Sequence, residues 1–254
     1  MREVYDHLDA VVGPTRTAAE MLKKVGLKPP VSSISCGVDI NLFHLDPSVD
    51  RVAWHAGNGI DPTHKVFLFV GRVDREKRLD VIIRAINLLD REDIEFVIAG
   101  NGAAKTDLMA LVKGLGLEEK VRFTGFIPST DLPSVLNSID IYTMPSEAEI
   151  LSIASLQAMA CARPMLVADA VALPELVTAN GNGLLFRSNA VDDAARCDHS
   201  GSSPGTLACH GSSHLGACAC SQSRKYCASL RGTLSGGTFT PNNSRCLKDA
   251  GSWL

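Results

Sequence analysis

No run of this 254-residue chain approaches the roughly 18 consecutive apolar residues that a helical membrane span requires. The opening residues, Met1 to His7, are too polar for a secretory signal. The protein is therefore expected to be cytoplasmic. Neither sign of charge dominates: 25 Lys and Arg against 28 Asp and Glu leave a formal net charge of -3. With the signs interspersed there is no broad basic field, which excludes a primarily nucleic-acid-binding protein. Phosphate-binding fingerprints are also missing. Gly100-Asn101-Gly102 follows an apolar run, but Lys105 stands where a dinucleotide loop needs its third glycine, and no P-loop occurs. No acidic cluster follows the first strand either, which disfavours response-regulator-like as well as dehydrogenase-like domains.

Cysteine is scarce over most of the chain. Only Cys36 and Cys161 precede residue 190, whereas Cys197, Cys209, Cys218, Cys220, Cys227 and Cys246 follow it. Ile and Met disappear at the same place, Ser and Gly dominate, and the scattered leucines fit neither a helical nor a strand period. Residues 189–254 thus read as a patternless tail, expected to be disordered, and an off-frame or otherwise unrelated translation best accounts for so abrupt a loss of pattern. A zinc site from Cys209, His210, His214, Cys218 and Cys220 is disfavoured, because Cys218-Ala219-Cys220 is too tightly spaced and nothing downstream mirrors it, so no metal is expected.

What remains is a 45% hydrophobic composition, enough to bury a core, and a regular alternation of strand and helix patterns. Residues 1–45 carry a strand over 8–13, a helix capped by Thr15 and running through Lys24 to a stop at Gly26, and a short strand at Val31 to Ile34. From Lys65 the alternation tightens. Val66 to Val70 is a fully apolar strand and Leu79 to Ile86 an amphipathic helix. Strand 95–99, a helix from Lys105 to Leu115, strand 121–124, a helix over 132–137 and strand 139–144 follow. A helix from about Glu149, strand 165–168, a helical turn at 173–177 and strand 183–186 complete the series. This predicts an α/β fold, a doubly wound Rossmann-like parallel sheet, over residues 46–188.

In such a fold the strand-to-helix turns at the carboxyl edge share one crevice. Gly71 permits a tight turn after its strand, and Arg72 and Lys77 offer a fork and a point charge to phosphate oxygens. Solvated surface charges balanced by Asp74 and Glu76 are the plainer account of the same residues. Gly102 could admit a ligand to the backbone or simply make a turn. Phe126, in Gly125-Phe126-Ile127-Pro128, could seat a planar base or cap the core. Glu149 reads as lying at a helix N-terminus, where capping alone accounts for an acid, and the eight-residue step to Gln157 would put both side chains on nearly one face.

Taken together and in order, Cys36-Gly37-Val38-Asp39, Val70-Gly71-Arg72 with Glu76-Lys77, Ala99-Gly100-Asn101-Gly102, Val121 to Gly125, Pro145-Ser146 to Pro164, and Leu173-Pro174-Glu175-Leu176-Val177 resemble the C-terminal, donor-binding half of retaining group 1 nucleotide-sugar glycosyltransferases of the GT-B fold. The resemblance implies a nucleoside-diphosphate hexose donor, UDP- or GDP-linked, with no tightly bound cofactor. It implies that Arg72 and Lys77 bind the diphosphate, that Glu149 binds sugar hydroxyls, and that these three carry catalysis. The amides of Ile150 and Leu151 would meet the distal phosphate, Gln157 the ribose, and the turn at Phe126 the base. The acceptor would be a lipid or a glycan, with peripheral attachment to the inner membrane face if it is a lipid. Residues 1–45 would be the remnant of an N-terminal domain and its linker. Four positions depart from the family pattern: Gln157 replaces a glutamate, and Ile150, Arg78 and Ala162 replace glycines. The neutral Gln157 should weaken donor binding, and a left-handed Ala162 would cost about 1 kcal/mol.

Overall fold

The computed structural model describes residues 2–178 and 181–199, so the tail beyond His199, with the candidate zinc residues Cys209, His210, His214, Cys218 and Cys220, lies outside the described residues. The chain opens with α1 (Arg2–Tyr5), β1 (Val11–Gly13), α2 (Arg16–Lys24) and β2 (Val31–Ser33), and β1 and β2 pair in parallel as a sheet of their own. Thr15 caps α2 as its sequence predicts, its hydroxyl accepting the Ala18 N–H at 3.1 Å.

The main domain follows with α3 (Arg51–Gly57), β3 (Lys65–Val70), α4 (Leu79–Leu89), β4 (Ile94–Ala99), α5 (Lys105–Gly114), β5 (Val121–Gly125), α6 (Leu132–Ser138), β6 (Ile141–Met144), α7 (Ile153–Ala160), β7 (Met165–Asp169), β8 (Gly183–Arg187) and α8 (Val191–His199). Short 3-10 turns at Arg75–Lys77 and Leu173–Leu176 interrupt two of the loops. Six strands form one parallel sheet in the order β5-β4-β3-β6-β7-β8. The near-continuous apolar strands β3 and β4 are its buried centre, as helices on both faces require. The strand order reverses between β3 and β6, which pair through Phe67 with Ile141 and Leu68 with Tyr142. That reversal is where a doubly wound sheet opens a crevice at its carboxyl edge. Among the described residues no helix is long and apolar enough to cross a membrane.

Two helices depart from the sequence expectation. α3 lies where no helix is expected; its seven residues are too few for a clear period, and tertiary contacts hold it. Asp50 caps it, Arg51 grips Asp140 at 2.9 and 2.5 Å, and the buried His55 bonds the Ser138 carbonyl at 2.9 Å. α8 extends the ordered chain past the expected boundary at 188 and corrects the reading that helical pattern ends there. Ala194 and Ala195 are buried, and α8 packs against α4. Its apolar positions Val191, Ala194 and Ala195 do have i, i+3, i+4 spacing, a short signal at the edge of the Ser- and Gly-rich sequence that follows.

Two of the positions where the resemblance expects glycine are left-handed. Ala162 has φ +57 and Arg78 φ +49, both left-handed, where glycine costs least. Ala162→Gly is therefore expected to stabilise the fold by about 0.5 kcal/mol, the chain-entropy cost of glycine offsetting part of the roughly 1 kcal/mol gained. Urea denaturation of both proteins, with equal slopes and a higher midpoint for the variant, is the check. Arg78 is different, because its guanidinium bridges Asp80 at 3.1 Å and Glu147 at 3.2 Å, contacts a glycine would forfeit.

Candidate functional site

The crevice is framed by the loop leaving β3 and the loop leaving β6. The first turns through Arg75–Lys77, with the Lys77 N–H bonded to the Asp74 carbonyl at 3.0 Å. The second is docked on the first, because the Glu76 carbonyl accepts both the Ser146 hydroxyl and the Glu147 N–H, each at 3.1 Å. These two hydrogen bonds between the loops set the spacing of the side chains that follow. Lys77 Nζ meets Glu149 Oε2 at 2.5 Å, and both side chains are only 14% exposed. Two charges so far withdrawn from water need each other as counter-ions, and either one alone would be costly.

Tyr142 is fully buried beneath this pair, its hydroxyl donating to the Val70 carbonyl at 3.4 Å. Burial pushes its phenol well above the ordinary range, and the nearby Glu149 charge adds to the rise. It stays neutral and acts as a hydrogen-bonding strut.

The helix that follows starts later than the sequence spacing suggests. α7 begins at Ile153, with Ser152 as its cap accepting the Ser155 N–H at 3.1 Å. Glu149, Ile150 and Leu151 therefore belong to the loop, and Glu149 and Gln157 are not two turns of one helix. The serine outcompetes the glutamate because its short hydroxyl reaches the N3 amide directly. Glu149 is free of capping duty and available to the crevice. Ile150, Leu151 and Gln157 are half-buried.

Arg72 is not brought to the pair. Its side chain is 76% exposed and bonds Asp74 at 3.0 Å and Glu76 at 3.5 Å, its own neighbours. Phe126 leaves β5 with its ring 78% exposed, so it does not cap the core. Gly100 and Gly102 have a structural reason to be glycine. A Cβ on Gly100, at φ +143, would stand 1.8 Å from the Gly71 carbonyl oxygen, and one on Gly102 would stand 2.4 Å from that of Val73. The turn after β4 is thus pressed against the turn after β3. A cleft of about 560 Å³ beside the Arg75–Lys77 turn is lined by Arg78, Asp80, Asp107 and Glu147 among others, and contains neither Lys77 nor Glu149.

Glu175, in the turn after β7, is a residue to which sequence reasoning assigned no site role. Its carboxylate accepts the Arg16 N–H at 3.0 Å and the Thr17 N–H at 2.7 Å, at the start of α2. Burial raises its pKa, but the bonds from the Thr17 backbone and hydroxyl and from Arg16 outweigh that and hold it below the ordinary value. The same balance lowers Asp140, where burial is opposed by Arg51 and the Val66 N–H. A carboxylate with a depressed folded-state pKa stabilises the fold above its unfolded value and loses that contribution as pH falls through the folded one. Stability is therefore expected to begin dropping as pH passes below 4.5, the ordinary Glu value. Urea midpoints from neutrality down to pH ~3 check this, and Asp140→Asn should flatten the acid limb.

The strand order and the ion pair at its reversal define a Rossmann-like α/β domain with a charged crevice. The family model described as "Glycosyl transferases group 1" matches residues 50–197, including the start of α8, and the chain belongs to that family. The D-inositol 3-phosphate glycosyltransferase of Mycobacterium sp. (strain KMS) is 31% identical over 201 residues, covering 76% of this chain and 45% of that protein. The alpha-D-kanosaminyltransferase of Streptomyces kanamyceticus is 34% identical over 154 residues, 59% of this chain and 40% of that one. The chain thus spans less than half the length of these relatives. Among solved structures, Anabaena HepE in complex with UDP-glucose has a TM-score of 0.77 at 22% identity, over 92% of this chain and 66% of that one. The C-terminal domain of the group 1 family protein LpcC from Francisella tularensis has a TM-score of 0.56 at 26% identity, over 63% and 85%.

Proposed function

We propose that this chain is the donor-binding half of a retaining glycosyltransferase, taking a UDP- or GDP-hexose and passing the hexosyl group to a lipid or glycan acceptor. The observation that carries the reading is the buried Lys77–Glu149 pair at the strand-order reversal. In it a cation suited to a diphosphate and an acceptor suited to sugar hydroxyls stand side by side. A donor would exchange the internal contact for two of its own, with Lys77 on the diphosphate and Glu149 on the hexose. As the bond from the sugar to the diphosphate breaks, negative charge grows on the leaving phosphate, and a fixed ammonium there lowers the barrier.

The Arg72 guanidinium, itself 76% exposed in its pairs with Asp74 and Glu76, has little to give up in swinging to the diphosphate as a second cation. The exposed Phe126 ring suits a base, Gln157 the ribose, and the loop amides of Ile150 and Leu151 the distal phosphate, with Gly71 and Gly102 giving the backbone its close turns. Family membership and the UDP-glucose complex of HepE support this assignment. The protein is proposed to be cytoplasmic, held at the inner membrane face if its acceptor is a lipid.

Calorimetric titration with UDP-glucose and with GDP-mannose is the test. Heat with either supports donor binding and identifies the base; no heat with both, from protein shown by circular dichroism to be folded, overturns it. Binding without donor hydrolysis or transfer would leave a nucleotide-sugar-binding module as the function.

A further inference from the structure

The contact between Glu175 and α2 is part of a longer connection. Glu175 closes its turn through its own N–H on the Ala172 carbonyl at 3.1 Å, and the Ala172 N–H in turn bonds the Glu149 carbonyl at 3.3 Å. One backbone step therefore separates the carboxylate that holds α2 from the residue that pairs with Lys77. The joint between them is strained: Val171 has φ +48, a left-handed conformation that a β-branched side chain disfavours. Such strain persists only where the surrounding structure imposes it, and it clusters where geometry serves function. The β1–α2–β2 unit has a sheet of its own, separate from the main one, so this bond is a specific tie between the unit and a loop of the crevice.

We propose that Glu175 is a positioning residue that couples the β1–α2–β2 unit to the Glu149 loop, through Ala172. Displacing the unit pulls on the Glu175 turn, and the Ala172 N–H passes the displacement to the Glu149 main chain. The Lys77–Glu149 geometry thus depends on where α2 sits. By reciprocity, a ligand that fixes Glu149 steadies the start of α2. The benefit to catalysis rests on the donor-binding reading, but the coupling itself can be measured without any ligand.

Hydrogen exchange of wild type, Glu175→Ala and Glu175→Gln tests it. In both variants the amides at the start of α2 should exchange roughly tenfold faster, and those of residues 146–150 about three- to tenfold faster, while β3 and β4 keep wild-type protection and so report an intact fold. Deprotection of α2 with residues 146–150 unchanged would make Glu175 a helix cap alone and overturn the coupling. No change at α2 would overturn the contact. In a second arm, UDP-glucose should slow exchange at the start of α2 in wild type and not in Glu175→Gln. If wild type binds neither UDP-glucose nor GDP-mannose, the donor reading falls, and the ligand-free exchange still decides the coupling.

Discussion

Replacing Lys77 by alanine is expected to lower the affinity for the proposed nucleotide-sugar donor, UDP-glucose or GDP-mannose, by about a hundredfold or more, corresponding to ~2.7 kcal/mol. Two losses combine in that figure. The diphosphate loses a charge-assisted contact, and Glu149, itself 14% exposed, is left as a carboxylate without its counter-ion. A double-mutant cycle separates the two. If Lys77 and Glu149 act as one site, Lys77→Ala and Glu149→Gln together should cost clearly less than the sum of the single variants. Arg72→Ala should cost less than Lys77→Ala, because the Arg72 guanidinium is itself exposed and solvent-screened, is already paired, and must reorient to reach a ligand. Affinities from calorimetry, with thermal unfolding as a control for folding, decide the matter. A Lys77→Ala protein that binds the donor as wild type does would remove the pair from the site.

The second large effect concerns stability and leaves the crevice alone. Glu95 is 2% exposed within β4 and accepts from Arg122 Nε at 2.5 Å, from the Asp61 N–H at 3.3 Å and, depending on its tautomer, from His64 Nδ1 at 3.0 Å. Arg122→Ala removes the strongest of these partners and leaves a carboxylate deep in the sheet with two weaker ones. Breaking one side of a buried pair costs about 3–5 kcal/mol, which for a domain of this size lowers the melting temperature by roughly 10 °C. Replacing both members, Glu95→Leu with Arg122→Met, should recover much of the loss, since the cost lies in the orphaned charge rather than in the absent bond. Glu95 is the second residue of its strand, at the amino end of the parallel sheet and opposite the crevice. Donor affinity per folded molecule should be unchanged by Arg122→Ala.

Much of this architecture is legible in one sequence because parallel strands buried on both faces must be apolar throughout. Val66 to Val70 and Phe96 to Ala99 announce themselves, and Thr15 marks the start of α2 by its capping chemistry. The elements that escaped were short or rich in alanine. α3 exists because Asp50 caps it locally on the Ala53 N–H while Arg51 and His55 find partners far along the chain, and α8 because Ala194 and Ala195 bury against the rest of the domain. Ser152 could have been found: it is a strong capping residue just ahead of an apolar run, and reading it would have moved the start of α7 past Glu149.

The candidate site divides in the same way. The ordered motifs were sufficient to point to group 1 glycosyl transferases, and the rule that carboxyl-edge turns converge was sufficient to bring residues 72 positions apart into one crevice. Sequence alone could not say which of the convergent side chains would meet. Lys77 reaches Glu149 and Arg72 does not, because the Glu76 carbonyl docks one loop on the other while Asp74 and Glu76 hold the guanidinium in solvent. Nor could it show that Glu175 would hold the start of α2, or that Gly100 and Gly102 are required by the backbone of the neighbouring turn. Hydrophobic period and local capping are properties of adjacent residues and are written along the chain. The choice of ionic partner is settled by distances of a few ångströms between loops, and those exist only once the sheet has assembled.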